Sequence, residues 1–508
     1  MSPNPYQFKR LRRRRLAHRP GKVLVLLAIA LPTLCGLIGL VVDSGLLLAA
    51  SREAQHAADS AVTAAAIEKQ HGQSNSAALA VATQVVQQQN LLTNATVSLN
   101  SPPASGPYAG MAGFVEVFVI DQCSTNFIQI LGGLSTQQIA VRAVAGFEPS
   151  TTGAAIVVLD PDPPSFDVSP LPAVAALGAL PSLPAIIGGL EVLGIGAVEI
   201  DGAVLVNTTW GGMDENGNQV GEPHGLLNLS HAISATPLIG LSSLKASDIR
   251  VVGGVDNRTY YGALTSGDPS PLKAGKLPVL DPYDDLPVPT TAADSNNVKT
   301  TVYGGKSVIG LPLIGPPVTL QPGVYDWIEV ISGQAVFQPG VYIIRSTNPL
   351  TKLALSVVAG QVQAGGVMFY ITDTANYSPN SGSPDSSDGE NTAPVPNSSN
   401  VPPCAVVNIG LLSSTYSGLN DASSPFNGLF LYQRRLDRRP IIFVQENLIG
   451  AGQLRGTLYS KWGHVILAGK GTYDARFVVG TMRLVALLDM QIRPSTLLPP
   501  AEDVFLVE

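Results

Sequence analysis

The amino-acid sequence predicts a membrane-anchored α+β module followed by an all-β region: a single transmembrane helix, a long N-terminal helix continuing from it, and a right-handed parallel β-helix. Three observations lead there. Eight basic and no acidic residues in the first twenty-two run directly into twenty uncharged, mostly apolar ones from Val23 to Val42. The pentapeptide Gln321-Pro322-Gly323-Val324-Tyr325 recurs letter for letter as Gln338-Pro339-Gly340-Val341-Tyr342. The 51 Gly and 40 Pro, with only 13% charged residues, favour many turns and short strands over helical bundles.

The N-terminal elements follow from length and charge. A helix rising about 1.5 Å per residue needs about 20 residues to cross a hydrocarbon core of about 30 Å, which residues 23–42 supply. The flanking Lys9, Arg10, Arg12, Arg13, Arg14, Arg15, Arg19 and Lys22 are the topology determinants: residues 1–22 form a basic cytoplasmic tail, and everything after Asp43 lies outside. A cleaved secretory signal starts in the same way, but its apolar core is only ~7–15 residues long. Here strong helix formers continue without Gly or Pro from Leu46 to Gln70, so a retained anchor is expected, with its helix reaching to about residue 92.

Within and beyond the span, Pro32, Gly36, Gly39 and Asp43, then Arg52, Glu53 and the block Gln55-His56-Ala57-Ala58-Asp59-Ser60-Ala61, resemble the N-terminal module of the TadE/TadG-like proteins of bacterial tight-adherence (Flp) pilus-assembly systems. The residues that carry the motif are Pro32, Asp43, Gln55, Ala58 and Asp59. Phe114 to Val119 (FVEVFV) alternates as an exposed-edge strand would, and Ser135 to Gly146 is similar to the strand that closes this module, which is placed at 43–150. Prepilin-type members of the wider system carry a Glu five residues after the processed Gly. From Gly21 that position is Leu26, so the resemblance implies a permanently anchored accessory protein and not a processed pilin.

The β-helix is assigned to 151–495. Spacings near 17 to 25 residues suit coils of short strands stacked about 4.8 Å apart, with Gly323 and Gly340 as coil turns. Further coils are traced upstream at Leu190–Asn207 and Asp248–Gly254, and downstream at Gly428–Gln433, Gly452–Ser460, Val465–Gly469 and Arg476–Leu484. A β-sandwich would share such strands, but hairpin-type Asn-Gly and Asp-Gly dipeptides are few. The paired Pro-Gly-Val-Tyr units and the segment Gly456-Thr457-Leu458-Tyr459 also resemble the secreted halves of large TadE/TadG-like proteins. Residues 376–403 lack apolar periodicity and are expected to be a disordered loop, residues 281–300 form a Pro- and Asp-rich bridge, and 496–508 are a C-terminal tail.

Motifs for chemistry are weak. Ser242-Ser243-Leu244-Lys245 has the SxxK form of acyl enzymes without its partner motifs, and Gly305-Lys306-Ser307 ends like a phosphate loop but has Thr300 where the first Gly belongs. His224, His231 and His464 have no metal-ligand spacing, so neither metal nor cofactor is expected. A polysaccharide-acting enzyme on a β-helix would need clustered carboxylates. The candidates are Asp326, Glu329 and Asp373, with the run Arg434-Arg435-Leu436-Asp437-Arg438-Arg439, whose bland reading is a solvated basic patch. Cys35 lies in the span, while Cys123 and Cys404 face an oxidising exterior and form a candidate disulfide.

With eight of the 30 basic residues before residue 23 and all 37 acidic ones after it, the exported part is strongly acidic, which disfavours nucleic acid as a partner. The expectation is a single-pass bacterial inner-membrane protein, without catalytic residues, that serves Flp-type pilus assembly or a cell-envelope surface structure through pilus-assembly or envelope partners. The alternatives are the polysaccharide-acting enzyme and a surface adhesin unrelated to pili.

Overall fold

The computed structural model describes residues 20–70, 73–128, 134–164, 188–225, 229–237, 243–311, 315–389, 405–409, 414–445 and 453–507. The chain divides into two compact units, Met1–Glu148 with Val504–Glu508, and Pro149–Asp503.

The first unit is built on α1 (Pro20–Gln70). The helix is long and apolar enough to cross a membrane. Its apolar half leaves Leu24, Leu27, Leu31, Leu37 and Val41 exposed. Further along, Ala54, Ala57, Ala58, Ala61, Val62, Ala65 and Ala66 are fully buried, a stripe at helical spacing whose small side chains let the helix lie close to a sheet. The helix does not run on to residue 92. Ser74 caps a new one, α2 (Asn75–Gln84), by accepting a hydrogen bond from the Ala77 N–H at 3.2 Å, and α2 adds Ala78 and Ala82 to the same core.

The sheet of this unit comprises β1 (Thr96–Asn100), β2 (Phe114–Ser124) and the first part of β3 (Thr136–Val158). The alternation in β2 suggested an exposed edge, but β2 is the central strand, antiparallel to β1 on one side and β3 on the other. One of its faces, Val115, Val117 and Val119, packs into the alanine-rich core, while Glu116 is buried on the other. The C-terminal residues are not a free tail: Leu498–Leu506 is a strand, Val504 joins this core, and the Val507 N–H donates to Val144 O at 2.9 Å.

The second unit is held by parallel pairings. β4 (Gly188–Gly194) pairs with His231–Pro237, and β5 (Ala197–Val206) with Ser243–Val251. Farther on, Gly323–Phe337 pairs with Leu355–Ala364, that strand with Val406–Ile409, that with Ile441–Gln445, and that with the long strand Gln453–Ile492. Apolar side chains from all of these share one continuous core.

The layers do not stack in chain order, as tracing coils outward from the repeat assumed. Phe477–Val479 pairs with Ile156–Val158, Met482–Ala486 with β4, and Met490–Ile492 with β5. The chain therefore starts in the middle of the stack and builds one way as far as Leu272–Lys273. It then crosses to the opposite end at Val302–Val308 and winds back. The repeat itself is offset, since Gly323 pairs with Tyr342 and not with Gly340. What the two copies share is a closed turn. Tyr325 Oη donates to Gln321 O at 2.7 Å, and Tyr342 Oη donates to Gln338 O at 2.9 Å.

The crossing segment is pinned along its length. Val279 O, Leu286 O, Pro289 O, Asn297 O and Thr301 O accept hydrogen bonds from Asn207, Arg435, Tyr377, Val341 and Val324 in turn. Part of the expected disordered loop is also packed. Tyr377 and Asp385 are 1% exposed, and Asp385 accepts from Tyr370 Oη and Thr374 Oγ1 at 2.7 Å each. Residues 390–403 lie outside the described residues.

Gly340 has φ +136°, and a Cβ there would stand 2.6 Å from Pro322 Cγ. Gly340→Val is therefore expected to destabilise the second unit by about 1–3 kcal/mol, read as a lowered denaturation midpoint. An unchanged midpoint would show that the turn tolerates a side chain.

Candidate functional site

The motif residues of α1 converge on the sheet of the first unit. Asp43 is 1% exposed, and its carboxylate accepts three consecutive backbone N–H groups, from Asn126 at 3.1 Å, Phe127 at 2.9 Å and Ile128 at 2.7 Å. Such a run of N–H groups is an anion-holding nest, and here it fastens the β2–β3 hairpin to the helix. One turn back along α1, Gly39 is covered by the Phe127 side chain, which a Cβ at position 39 would overlap. Pro32 lies in the exposed apolar half of the helix and Ala58 in the buried stripe.

A second fastening lies three turns on. Gln55 Nε2 donates to Asp59 Oδ1 at 2.8 Å and to Arg142 O at 3.2 Å, tying two motif residues to β3. Arg142 Nε donates to Glu116 Oε1 at 2.6 Å, and Glu116 also accepts from Asn100, Ala104 and Ser105. Burial pushes the Glu116 carboxyl up, but the bonds from Ser105, Arg142, Asn100 and Ala104 outweigh it and hold it at about 2. Sequence reasoning missed Glu116, Arg142 and Phe127. The legible signal was a single charge in each of two neighbouring apolar strands, FVEVFV and AVRAV.

In the second unit, the candidate carboxylates do not assemble. Asp326 pairs with Arg345 at 3.2 Å, and Glu329 is held by Asn348 Nδ2 at 3.1 Å. Asp373 pairs with Arg434 at 2.6 Å. The arginine run is not a solvated patch: each guanidinium has its own fixed partner. Arg434 bonds Asp388 at 2.7 and 2.9 Å, Arg435 reaches the carbonyls of Tyr283, Asp284 and Leu286, Arg438 pairs with Asp160 at 2.6 Å, and Arg439 with Asp437 at 2.6 Å. Burial raises the carboxyls of Asp160 and Asp385, yet both are 1% exposed and closed to a substrate. His464 is buried, its Nδ1 2.6 Å from Thr481 Oγ1, and burial with the nearby Arg483 keeps it neutral.

An open polar groove of about 730 Å³ runs over the turns of several layers, lined by Asn297, Ser417, Asn427, Arg455, Asp474 and Arg476 among others. Its carboxylate, Asp474, is paired with Arg455 at 3.1 Å. Glycosidic hydrolysis uses two carboxylates facing one bond, and the groove lining includes one.

Of the other sequence candidates, Lys9, Arg10, Arg12, Arg13, Arg14, Arg15 and Arg19 lie outside the described residues, and Lys22 lies in the first turn of α1. Cys35 and Cys123 are free thiols, and Cys404, the partner considered for Cys123, lies outside the described residues.

The first unit is thus an α+β module whose long apolar helix is fastened to its sheet through Asp43. Residues 21–68 match the Tad family model, described as Flp pilus-assembly TadE/G-like. The comparisons with curated proteins and with solved structures return no match.

Glu116 gives the first unit a defined acid response. Its carboxyl is lowered from 4.5 to about 2 on folding, so its stabilisation is complete above about pH 4.5 and is lost as the pH falls toward 2. Amide-exchange protection of β2 should fall through that window, and Glu116→Gln should flatten the fall. An identical acid profile in the variant would remove Glu116 from the response.

Proposed function

We propose that this protein is a non-enzymatic accessory of Flp-type pilus assembly, held in the bacterial inner membrane by α1 with its N-terminus in the cytoplasm, and presenting the second unit outside as a right-handed parallel β-helix. The observation that carries the reading is the Asp43 lock. It lies within the segment 21–68 that matches the TadE/G-like family and joins an apolar helix of spanning length to the β2–β3 hairpin of the folded module. The basic flank of the span supports the orientation. Uninterrupted parallel layers support the β-helix, and right-handed crossovers are the rule for parallel connections.

A scaffold role also accounts for the charges of the second unit. Asp326, Glu329 and Asp373 each hold a neighbouring strand or loop, as a structural role requires.

Two experiments test this. A reporter active only outside the cytoplasm should work when fused after residue 150, and replacing Arg12 to Arg15 with Glu should reduce correct insertion; activity of a cytoplasm-only reporter at the same site would refute the topology. Asp43→Ala should abolish piliation, while Asp326→Asn with Glu329→Gln, which keep the hydrogen bonds, should leave it intact. Loss of function in the double variant alone would favour the polysaccharide-acting reading.

A further inference from the structure

We propose that the polar groove over the turns of the second unit is a binding site for an acidic oligosaccharide, with Arg476 as the group that takes its anionic substituent. The site goes beyond the accessory role and does not depend on it, since it is read from the second unit alone.

Three observations carry it. First, the groove is elongated and built across the layers. The Gly366 N–H donates to Ser417 Oγ at 3.0 Å, Ser417 is the ladder partner of Arg455, Arg455 pairs with Asp474 at 3.1 Å, and Asp474 accepts from the Ser495 N–H at 2.6 Å. Five lining residues thus follow one another from layer to layer, and at about 4.8 Å per layer they span roughly 20 Å, room for a chain-like ligand. The floor between them is bare backbone. A Cβ on Gly418 or Gly456 would collide with Gly428 O, so no side chain fills the middle of the groove.

Second, the lining carries one uncompensated charge. Arg455 and Asp474 neutralise each other, and Asp421, beside the groove, is turned to Asn297 Nδ2 at 2.8 Å and to Ser423. Among the described residues Arg476 has no carboxylate partner, and its Nη2 lies 3.3 Å from where a Cβ on Gly428 would stand, at the edge of the bare floor. The chain after residue 22 is strongly acidic, so a free guanidinium at this place sets the local sign against that of its surroundings. A planar guanidinium with its donors free is suited to a two-pronged bond to a carboxylate or a similar anion.

Third, the remaining lining fits hydroxyl groups and not a peptide. It consists of amides and hydroxyls, among them Asn420, Asn427, Ser417 and Thr496, while Leu419 is buried. Amides and hydroxyls both donate and accept, as sugar hydroxyls do. A peptide would need a free strand edge or apolar pockets for its side chains. The backbone of the floor offers no such edge: the Gly418 N–H donates to Arg455 O at 3.0 Å, the Thr457 N–H to Gly428 O at 2.8 Å, and the Gly340 N–H to Gly366 O at 3.0 Å.

The test titrates the purified full chain in detergent with short oligogalacturonates and hyaluronate oligomers by calorimetry. The comparators are methyl-esterified oligogalacturonate, which keeps the sugar backbone without the charge, and polyglutamate, which keeps the charge without the sugar. Saturable binding of an acidic oligosaccharide is expected, and weaker binding of both comparators. Arg476→Ala should weaken it about tenfold or more, as the loss of a charged hydrogen-bonding group does. Gly365→Leu should weaken it as well: Gly365 lines the groove without a left-handed φ, and a Cβ there meets nothing nearer than Ser417 Oγ at 4.0 Å, so the side chain obstructs the groove without straining the fold. Failure of both acidic oligosaccharides to bind, or unchanged affinity in the two variants, would overturn the site. Polyglutamate bound as tightly as the sugars would overturn the ligand class. Cleavage of a bound oligomer would overturn the non-enzymatic role proposed above and leave the binding site standing.

Discussion

A backbone N–H or C=O that loses water must find a partner within the protein, and this constraint shapes every part of the chain. In α1 the partners are four residues away, which is the solution that lets a helix lie in lipid. In the first unit they lie across β1, β2 and β3, in the second across layer after layer of parallel strands. The exposed turn of a hairpin has no such neighbours. At Asn126–Ile128 the missing acceptor is supplied by Asp43, so a single carboxylate solves the backbone problem of the hairpin while the hairpin solves the solvation problem of the carboxylate.

The same reciprocity recurs where charges are buried. Glu116 meets Arg142, Asp160 meets Arg438, and Glu191 meets Arg483 with both side chains fully buried. Pairs of this kind add little net stability compared with apolar residues of the same size, but removing one partner strands a charge at a cost of about 3–5 kcal/mol. They act as checks on register. Arg483 and Glu191 are direct neighbours across the ladder although 292 residues apart in sequence, so any slip of the closing strand against β4 would break this pair.

Much of the long apolar helix was legible because its signals are local. A basic flank, a run of apolar residues and the block around Gln55 to Asp59 can be read from neighbouring letters. The acidic lock was half legible: Asp43 stood out at the end of the span, but its partners are backbone groups at 126–128, and backbone donors carry no letter. Strand segments in the second unit were legible from apolar runs bounded by Gly. Their order was not, because the ladder from Met482–Ile492 back to β4 and β5 depends on which distant edges meet. The arginine run misled for a related reason. Four guanidinium groups within six residues look solvated, yet short turns aim each at a different carboxylate or carbonyl.

The stacking order has a consequence for how the second unit forms. β4 and β5 lie early in the chain, and one edge of β4 and of the first part of β5 remains open until residues 482–492 arrive. The crossing segment 279–301 reaches layers on both sides of that junction, bonding Asn207 near its start and Val324 at its end. Contacts of such long sequence separation are costly to close in loop entropy and slow to form, and open strand edges are templates for wrong pairing in the meantime. The first and last strands thus join in the interior of the stack, where the buried Arg483–Glu191 pair selects the register, and the ends of the stack are left to segments from the middle of the chain. A continuous winding from one end would have exposed the last strand as an edge; closing in the middle covers it on both sides.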